Sequence, residues 1–423
     1  LIHCINNLFQ NNLLLTGSLK IVQIRQLLPS SFTNNITFAY TGQLKKSIFH
    51  PIYTFNFFLI FVIVDVNVIH VNIMKKERTQ MKVLDFGTTK DGHQTHLYTL
   101  KNDTLECRVT DFGSILVNLF APDKNGDIVD VVLGFDDVSG YENDTASLGC
   151  NVGRCANRIG GAAFTLNGTE YHLDKNDGEN NLHSGFHQYS KRIWTVKEYT
   201  DTAITFTLDS PDMDQGFPGA LTMSVTYRLE DNALKLSFSA VPDKDTIINM
   251  TNHSYFNLNG KGDVLDHMVA VNASRFTPSD AQSIPTGVFT DVAGTPMDFR
   301  EPKAIGQDIG EVYDQLVQAR GYDHNYVIND YDGTVRYAVH LYSEASGILM
   351  DLSTDYPGIQ MYTANYLEDE HGKGGAVYHP RDAVCFEPQF FPDAVNKPDF
   401  PSPVCKAGTT YHKEIIYTFS IDK

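Results

Sequence analysis

Residues 221–240 read LTMSVTYRLEDNALKLSFSA, and this stretch shows most clearly how the chain folds. Apolar residues occupy every second position on both sides of the corner at 230–232, with Thr, Ser, Arg or Lys between them. Such alternation is typical of β-strands that bury one face. The stretch therefore predicts an antiparallel hairpin whose apolar face packs against a second layer.

The same two-residue period dominates the chain from residue 81 onward. It recurs at 204–208, 335–341 and 415–421. A helical period is scarce, and only residues 308–319 favour a short helix. We therefore predict an all-β fold over residues 81–423: a single domain built as a large twisted β-sandwich with long functional loops.

Two dipeptides predict hairpin turns within this domain. They are Asn167-Gly168 and Asp332-Gly333, each lying between runs of alternating residues. Asn, Asp and Gly tolerate the positive φ angles of a two-residue type I′ turn. We expect each dipeptide to join two neighbouring antiparallel strands.

The first 80 residues differ from the rest in charge. They contain seven Lys or Arg and two acidic residues, so that residues 81–423 carry a formal charge of −23. Their longest apolar run, 55–64, is only about half of the ~20 residues that a membrane-spanning helix needs. We interpret residues 1–80 as an N-terminal extension, either upstream sequence translated in frame or disordered chain. A signal-anchor is the alternative.

The composition excludes several classes of function. A net charge of −18 argues against nucleic-acid or anionic-membrane partners, which need clustered Lys and Arg. Glycine-rich phosphate-binding motifs, Gly-x-Ser-x-Gly and Cys-x-x-Cys are all missing, so we expect no cofactor and no metal. Six cysteines are too few for a disulfide scaffold, which favours a cytoplasmic protein with reduced thiols.

Several segments interrupt the alternation and concentrate polar residues. They are 151–159 (NVGRCANRI), 180–185 (NNLHSG), 249–258 (NMTNHSYFNL), 321–325 (GYDHN), 357–362 (PGIQMY) and 385–396 (CFEPQFFPDAVN). Taken singly, each has an ordinary structural explanation. An isolated His is more often a hydrogen-bonded scaffold residue than a catalyst, and Arg158 could simply pair with a carboxylate.

Together, in order and spacing, these motifs resemble the aldose 1-epimerase (galactose mutarotase) family along essentially all of residues 81–423. The resemblance implies a β-sandwich that binds a sugar in an open cleft across one sheet. It implies that Glu387 is the general base, that His253 is the general acid and that His183 assists at the ring oxygen. The residues implied to bind sugar hydroxyls are Asn157, Arg158, Asp323 and Gln360. Ser184, where Gly is common, is a mild departure that leaves fine specificity open.

The residue types also suit this chemistry by themselves. Interconversion of α and β anomers requires one group to remove the proton of the C1 hydroxyl while another protonates the ring oxygen. The two groups then exchange roles, so their pKa values should be similar and near neutral. We expect the pKa of His253 near 6.5 and that of Glu387 raised by partial burial among Phe386 and Pro388.

Four readings of function remain open at this point. The first is an aldose 1-epimerase acting on free hexoses such as galactose and glucose, as a monomer or homodimer. The second is an epimerase of hexose 6-phosphates on the same fold, which would need a basic cluster in the cleft. The others are a non-catalytic carbohydrate-binding protein and a glycoside hydrolase that uses Glu387 with Asp323.

Overall fold

The computed structural model describes residues 82–422 throughout. Upstream it describes only the backbone of four strands, which form one antiparallel sheet: Leu19–Lys20, Ile36–Tyr40, Phe58–Asp65 and Val68–Lys75. Leu1–Gln80 and Met81–Lys423 are two compact units. The prediction that residues 1–80 are an extension concerns mostly residues outside those described, and it stays a prediction.

A nine-stranded antiparallel sheet forms one layer of the second unit. In spatial order its strands are Thr195–Tyr199, Ala203–Ser210, Leu221–Glu230, Ala233–Ala240, Tyr411–Ile421, Ile348–Thr354, Arg336–Tyr342, Met268–Val271 and Lys303–Ala304. The predicted hairpin is confirmed, because Glu230 pairs with Ala233 around a turn in which Asp231 has a φ of 51°. Within Leu221–Glu230 every odd-numbered residue is buried, as the alternation predicts.

A six-stranded antiparallel sheet forms the facing layer. In spatial order its strands are Tyr255–Phe256, Val384–Gln389, Gly358–Tyr362, Asp323–Ile328, Ala273–Thr277 and Thr290–Asp291. One apolar core contains side chains from both sheets, and the rings of Phe256 and Tyr417 lie 5.0 Å apart across it. The all-β sandwich is therefore confirmed. The packing of these two sheets fixes the strands that carry the candidate site.

The remaining described elements of the second unit are a third sheet, several two-stranded pairs and short helices. A five-stranded sheet contains Val83–Thr88, Gln94–Lys101, Glu106–Thr110, Leu116–Pro122 and Ile128–Asp130. Five two-stranded pairs are Cys150–Val152 with Thr251–His253, Arg158–Ile159 with Asn181–Leu182, Ala163–Leu166 with Thr169–His172, Thr246–Ile247 with Val404–Cys405, and Glu370–His371 with Val377–Tyr378. The α-helices are Val138–Asn143 and Asp314–Ala319. Within the described residues no helix has both the length and the apolar character to cross a membrane.

The two predicted turns have different outcomes. Asn167 and Gly168 have φ angles of 51° and 80° and join two paired strands, so this hairpin is confirmed. The hairpin predicted at Asp332-Gly333 is wrong, because the strands before and after it belong to different sheets. The connection crosses from one layer of the sandwich to the other. The helix expected within 308–319 forms only at its C-terminal half.

Candidate active site

Neighbouring strands of the six-stranded sheet carry the acidic part of the candidate site. Their register pairs Glu387 with Gln360 and Tyr362 with Asp323. Directly opposed residues point to the same face of a sheet, as do residues two apart on one strand. Glu387, Gln360 and Asp323 therefore share one face. Nε2 of Gln360 donates to Oδ1 of Asp323 over 2.7 Å and joins two of the three side chains.

His253 comes to this face from a separate short strand. That strand, Thr251–His253, pairs with Cys150–Val152, and Nε2 of His253 lies 3.6 Å from Oε1 of Glu387. Both residues are buried, with exposed fractions of 6% for His253 and 2% for Glu387. The ring of Tyr255 stacks on the imidazole with centroids 5.1 Å apart. The stacking fixes the imidazole plane beside the carboxylate.

Each member of this pair has a buried polar atom without a hydrogen-bond partner among the described residues. The atoms are Oε2 of Glu387 and Nδ1 of His253. Folded proteins pair nearly all such atoms, because an unpaired buried donor or acceptor costs desolvation free energy. An unpaired carboxyl oxygen beside an imidazole is therefore a place where a hydroxyl ligand would gain a hydrogen bond.

His183 lies beside His253 and has a defined tautomer. The two imidazole centroids are 5.7 Å apart, with the rings nearly perpendicular. Nδ1 of His183 accepts from the backbone N–H of Asn157 at 3.2 Å, and Asn157 accepts from the backbone N–H of His183 at 3.0 Å. Because Nδ1 is an acceptor, the neutral ring carries its proton on Nε2. His183 can thus donate a hydrogen bond without being charged.

Arg158 is the next residue after Asn157 and begins the short strand Arg158–Ile159. This strand pairs with Asn181–Leu182, which directly precedes His183. Nε of Arg158 donates to Oδ2 of Asp177 at 2.7 Å, while its backbone N–H donates to the Asn157 side chain. Arg158 thus pairs with a carboxylate, that of Asp177, and its role in binding sugar stays a prediction. Asp177 lies in a turn before Gly178 and outside the quoted motifs, so no sequence pattern marks it as a site residue.

Burial dominates the electrostatics of the site. It raises the pKa of Glu387 well above the usual carboxyl value; the negative charge of Asp323 adds to this rise, and Arg158 opposes it. Burial also raises the pKa of Asp323, against the lowering effects of Arg158 and of the hydrogen bond from Gln360. The larger shift, at Glu387, favours a proton on its carboxyl group in the ligand-free site.

The two histidines shift in the opposite direction. Burial lowers the pKa of His253 to about 4, so the expectation of a value near 6.5 is wrong. Burial lowers the pKa of His183 well below its usual range, and the charges of His253 and Arg158 act in the same direction. Both imidazoles are therefore neutral at neutral pH in the ligand-free protein. A motif specifies a histidine but not the depth at which the fold buries it.

The structure brings the seven predicted residues into one connected neighbourhood. Glu387, Gln360 and Asp323 share a sheet face, His253 contacts Glu387, and the remaining three residues reach the site through His183 and its neighbours. Within residues 82–422 no group of three or more His, Cys, Asp or Glu side chains could hold a metal ion. What the arrangement offers is proton transfer between a carboxyl and an imidazole, with polar groups around them.

Comparison with known proteins identifies the family. The family model described as aldose 1-epimerase matches residues 96–418. The chain belongs to the aldose 1-epimerase family. Galactose mutarotase from Rattus norvegicus is 36% identical over 333 residues, which cover 78% of this chain and 95% of that protein. Aldose 1-epimerase from Escherichia coli K12 is 34% identical over 334 residues, covering 78% of this chain and 96% of that protein.

Solved structures agree with this assignment to the aldose 1-epimerase family. The aldose epimerase homologue from C. elegans is 33% identical and superposes with a TM-score of 0.73, covering 78% of this chain and all of that one. Galactose 1-epimerase from Lactobacillus acidophilus gives a TM-score of 0.71 at 25% identity, covering 81% of this chain and 99% of that one. The family, the sandwich fold and the isomerase class expected from the motifs are confirmed.

Proposed function

We propose that the protein interconverts the α and β anomers of free hexoses, galactose and glucose among them, with Glu387 as general base and His253 as general acid. One observation carries the proposal: a buried carboxyl and a buried imidazole lie 3.6 Å apart, and each has an unpaired polar atom. Membership of the aldose 1-epimerase family supports the reaction. The pair supplies the two proton-transfer groups that the reaction needs.

Sugar binding would redistribute the proton that the pair holds. In the ligand-free site that proton favours Glu387, because the pKa of Glu387 is raised and that of His253 is lowered. A C1 hydroxyl that donates to Glu387 stabilises the carboxylate. The carboxylate charge, 3.6 Å from Nε2, in turn favours the imidazolium form of His253. The hydroxyl thus brings the pair into its reactive protonation state.

The catalytic cycle then balances without any other reactant. Glu387 takes the proton of the C1 hydroxyl while His253 gives its proton to the ring oxygen, and the C1–O5 bond breaks. The aldehyde rotates about C1–C2, and the ring recloses as Glu387 returns its proton to O1 and His253 takes back the proton from O5. His183, with its proton on Nε2, donates a hydrogen bond near the ring oxygen. Each group ends in the state in which it began.

The charges around the site favour an uncharged sugar. Arg158 is the cation among the proposed sugar-binding residues, and it is already paired with Asp177 at 2.7 Å. The carboxyl groups of Asp323 and Glu387 lie close enough for Arg158 to affect their pKa values. A phosphate group would meet more negative than positive charge here. This observation favours a free hexose over the hexose 6-phosphate alternative.

The structure gives less support to the other two alternatives, a carbohydrate-binding protein and a glycoside hydrolase. A carbohydrate-binding protein has no need of a carboxyl and an imidazole matched for proton transfer. A glycoside hydrolase would need the carboxyl of Asp323 to act on the substrate, whereas its Oδ1 accepts from Gln360. A side chain held by such a hydrogen bond is suited to binding a sugar hydroxyl. We assign this role to Asp323, Gln360, Arg158 and Asn157.

Two finer expectations belong to this proposal. The cysteines within residues 82–422 are all buried and unpaired, which supports a reducing compartment such as the cytoplasm. We keep the expectation of a monomer or homodimer, which sedimentation of the purified protein would test.

Polarimetry tests the proposed reaction directly. Freshly dissolved α-D-galactose or α-D-glucose should lose optical rotation faster with the protein than without it. The same measurement on galactose 6-phosphate and glucose 6-phosphate should show much weaker acceleration. A preference for the phosphorylated sugars would contradict the proposal, as would folded protein that accelerates neither group. Circular dichroism of the same sample is the control for folding.

A further inference from the structure

The contact between Arg158 and Asp177 is made through one nitrogen only. Nε of Arg158 donates to Oδ2 of Asp177, and neither terminal guanidinium nitrogen hydrogen-bonds to any other residue in 82–422. Arg158 is largely buried, with 17% of its side chain exposed, against 36% for Asp177. Asp177 therefore holds the guanidinium from the side and leaves its fork of donors unoccupied.

The turn that presents Asp177 is itself tied to the strand beside Arg158. Leu182 is the residue opposite Arg158, and the side chain of Asn176 both accepts from and donates to the Leu182 backbone at 2.8 Å. Asp177 and Asn180 exchange backbone hydrogen bonds, and the Asn180 side chain accepts from the N–H of Gly161. These bonds fix the Asp177 carboxylate relative to the strand that carries Arg158.

We propose that Asp177 is a positioning residue for sugar binding, which acts by holding Arg158 through Nε so that its two terminal nitrogens are preordered for sugar hydroxyls. The inference rests on the proposed function, because it assumes that Arg158 binds the sugar. A free arginine side chain occupies many rotamers, and a ligand that must select one of them binds more weakly. The Asp177 contact makes that selection before the sugar arrives.

The contact has a second consequence for the charge at the sugar. Asp177 is close enough to the site that its negative charge raises the pKa of Asp323, while Arg158 lowers it. The aspartate thus partly neutralises the arginine without blocking its donors. An uncharged hydroxyl needs the donors and not the net charge, so the arrangement suits the substrate class proposed above.

Steady-state mutarotation kinetics of Asp177→Ala and Asp177→Asn would test the proposal. In Asp177→Ala we expect KM for galactose to rise by about three- to tenfold, with kcat within about twofold of the wild type. Asp177→Asn keeps an oxygen that accepts from Nε, so its KM should lie between those of Asp177→Ala and the wild type. The matched control is Glu179→Ala, which breaks the Lys175–Glu179 pair on the same turn and should leave KM unchanged.

A double-mutant cycle separates positioning from a merely structural role. Once Arg158→Ala has removed the guanidinium, Asp177→Ala should raise KM no further, because its effect passes through Arg158. Additive effects, or an unchanged KM in Asp177→Ala with a lowered Tm, would overturn the inference. An inactive but folded wild type would instead refute the proposed function, so the two failures are distinguishable.

Discussion

At the scale of single residues, Glu387 must ionise to act as a base, but its ionisation lowers the stability of the folded protein. Its buried carboxyl has a pKa raised above the ordinary value, so ionising it costs stability in the folded protein. This cost is absent below the ordinary carboxyl pKa of about 4.5 and grows as pH rises toward the folded value. A neutral isostere would escape the cost and lose the base.

Glu387→Gln tests both sides of this opposition. We expect mutarotation to fall by about 10²- to 10⁴-fold, the usual contribution of a general acid or base. We expect Tm at pH 7 to increase by a few degrees, and the difference from wild type to shrink as pH approaches 4. Activity by polarimetry and thermal unfolding at several pH values are the measurements. Glu198→Gln, on an exposed strand, is the control; wild-type activity in Glu387→Gln would refute the base assignment.

Asp323 offers a test of how charge sets the pKa of the base. Its negative charge raises the pKa of Glu387, so Asp323→Asn should lower that pKa. In the free enzyme the reactive pair must hold one proton, and that proton rests on Glu387. Its loss therefore sets the alkaline limb of kcat/KM, and this limb should move to lower pH. The position of the limb is the readout, since sugar affinity falls for a separate reason. Asp209→Asn, at an exposed position, should leave the limb in place, and a limb moved to higher pH would contradict the argument.

The sequence could identify residues here but not their surroundings. The motif around Asn252-His253 singles out the histidine that the structure places beside Glu387. Its lowered pKa, however, depends on burial that arises from distant segments. Asp177 could not be found for a related reason. Its importance comes from facing Arg158 across a turn, and a turn carries no signature of what it faces.

At the scale of elements, the strands that carry the site differ from those of the opposite sheet. Val384–Gln389 and Gly358–Tyr362 are buried on both faces, so their sequences do not alternate between polar and apolar residues. Leu221–Glu230 buries one face and alternates strictly. The two-residue period therefore predicted the nine-stranded sheet, and the site strands were recognisable only by motif. Asp332-Gly333 failed as a hairpin because local turn chemistry does not specify which sheet the next strand joins.

Gly358 allows its strand to pack closely against the side chains of Asn325 and Phe391. A Cβ atom at this position would lie 2.5 Å from Oδ1 of Asn325 and 2.6 Å from the Phe391 ring. Gly358→Ala should therefore displace the strand that carries Gln360, lowering Tm by several degrees and raising KM. Thermal unfolding and mutarotation kinetics are the measurements. Gly310→Ala is the matched control, because a Cβ there meets nothing within 4 Å; equal behaviour of the two variants would contradict this prediction.

At the scale of the whole molecule, the negative charge of residues 81–423 should repel anionic sugars, and added salt should weaken this repulsion. Long-range repulsion lowers the local concentration of anions and leaves neutral sugars unaffected. The Debye length falls from about 30 Å at 0.01 M to about 8 Å at 0.15 M ionic strength, so screening reduces this repulsion. We expect kcat/KM for galactose to change by less than about twofold over this range.

Inhibition by galactose 6-phosphate should behave differently over the same range. Its inhibition constant should fall as salt is added, because screening removes the repulsion between the phosphate and the acidic domain. Potassium chloride titrations with both sugars provide the measurement, and sucrose at matched osmolality is the control. Phosphate binding that instead weakens with salt would mean that local attraction to Arg158 exceeds the field of the whole domain. In that case the pairing of Arg158 with Asp177 would not neutralise the site as the structure indicates.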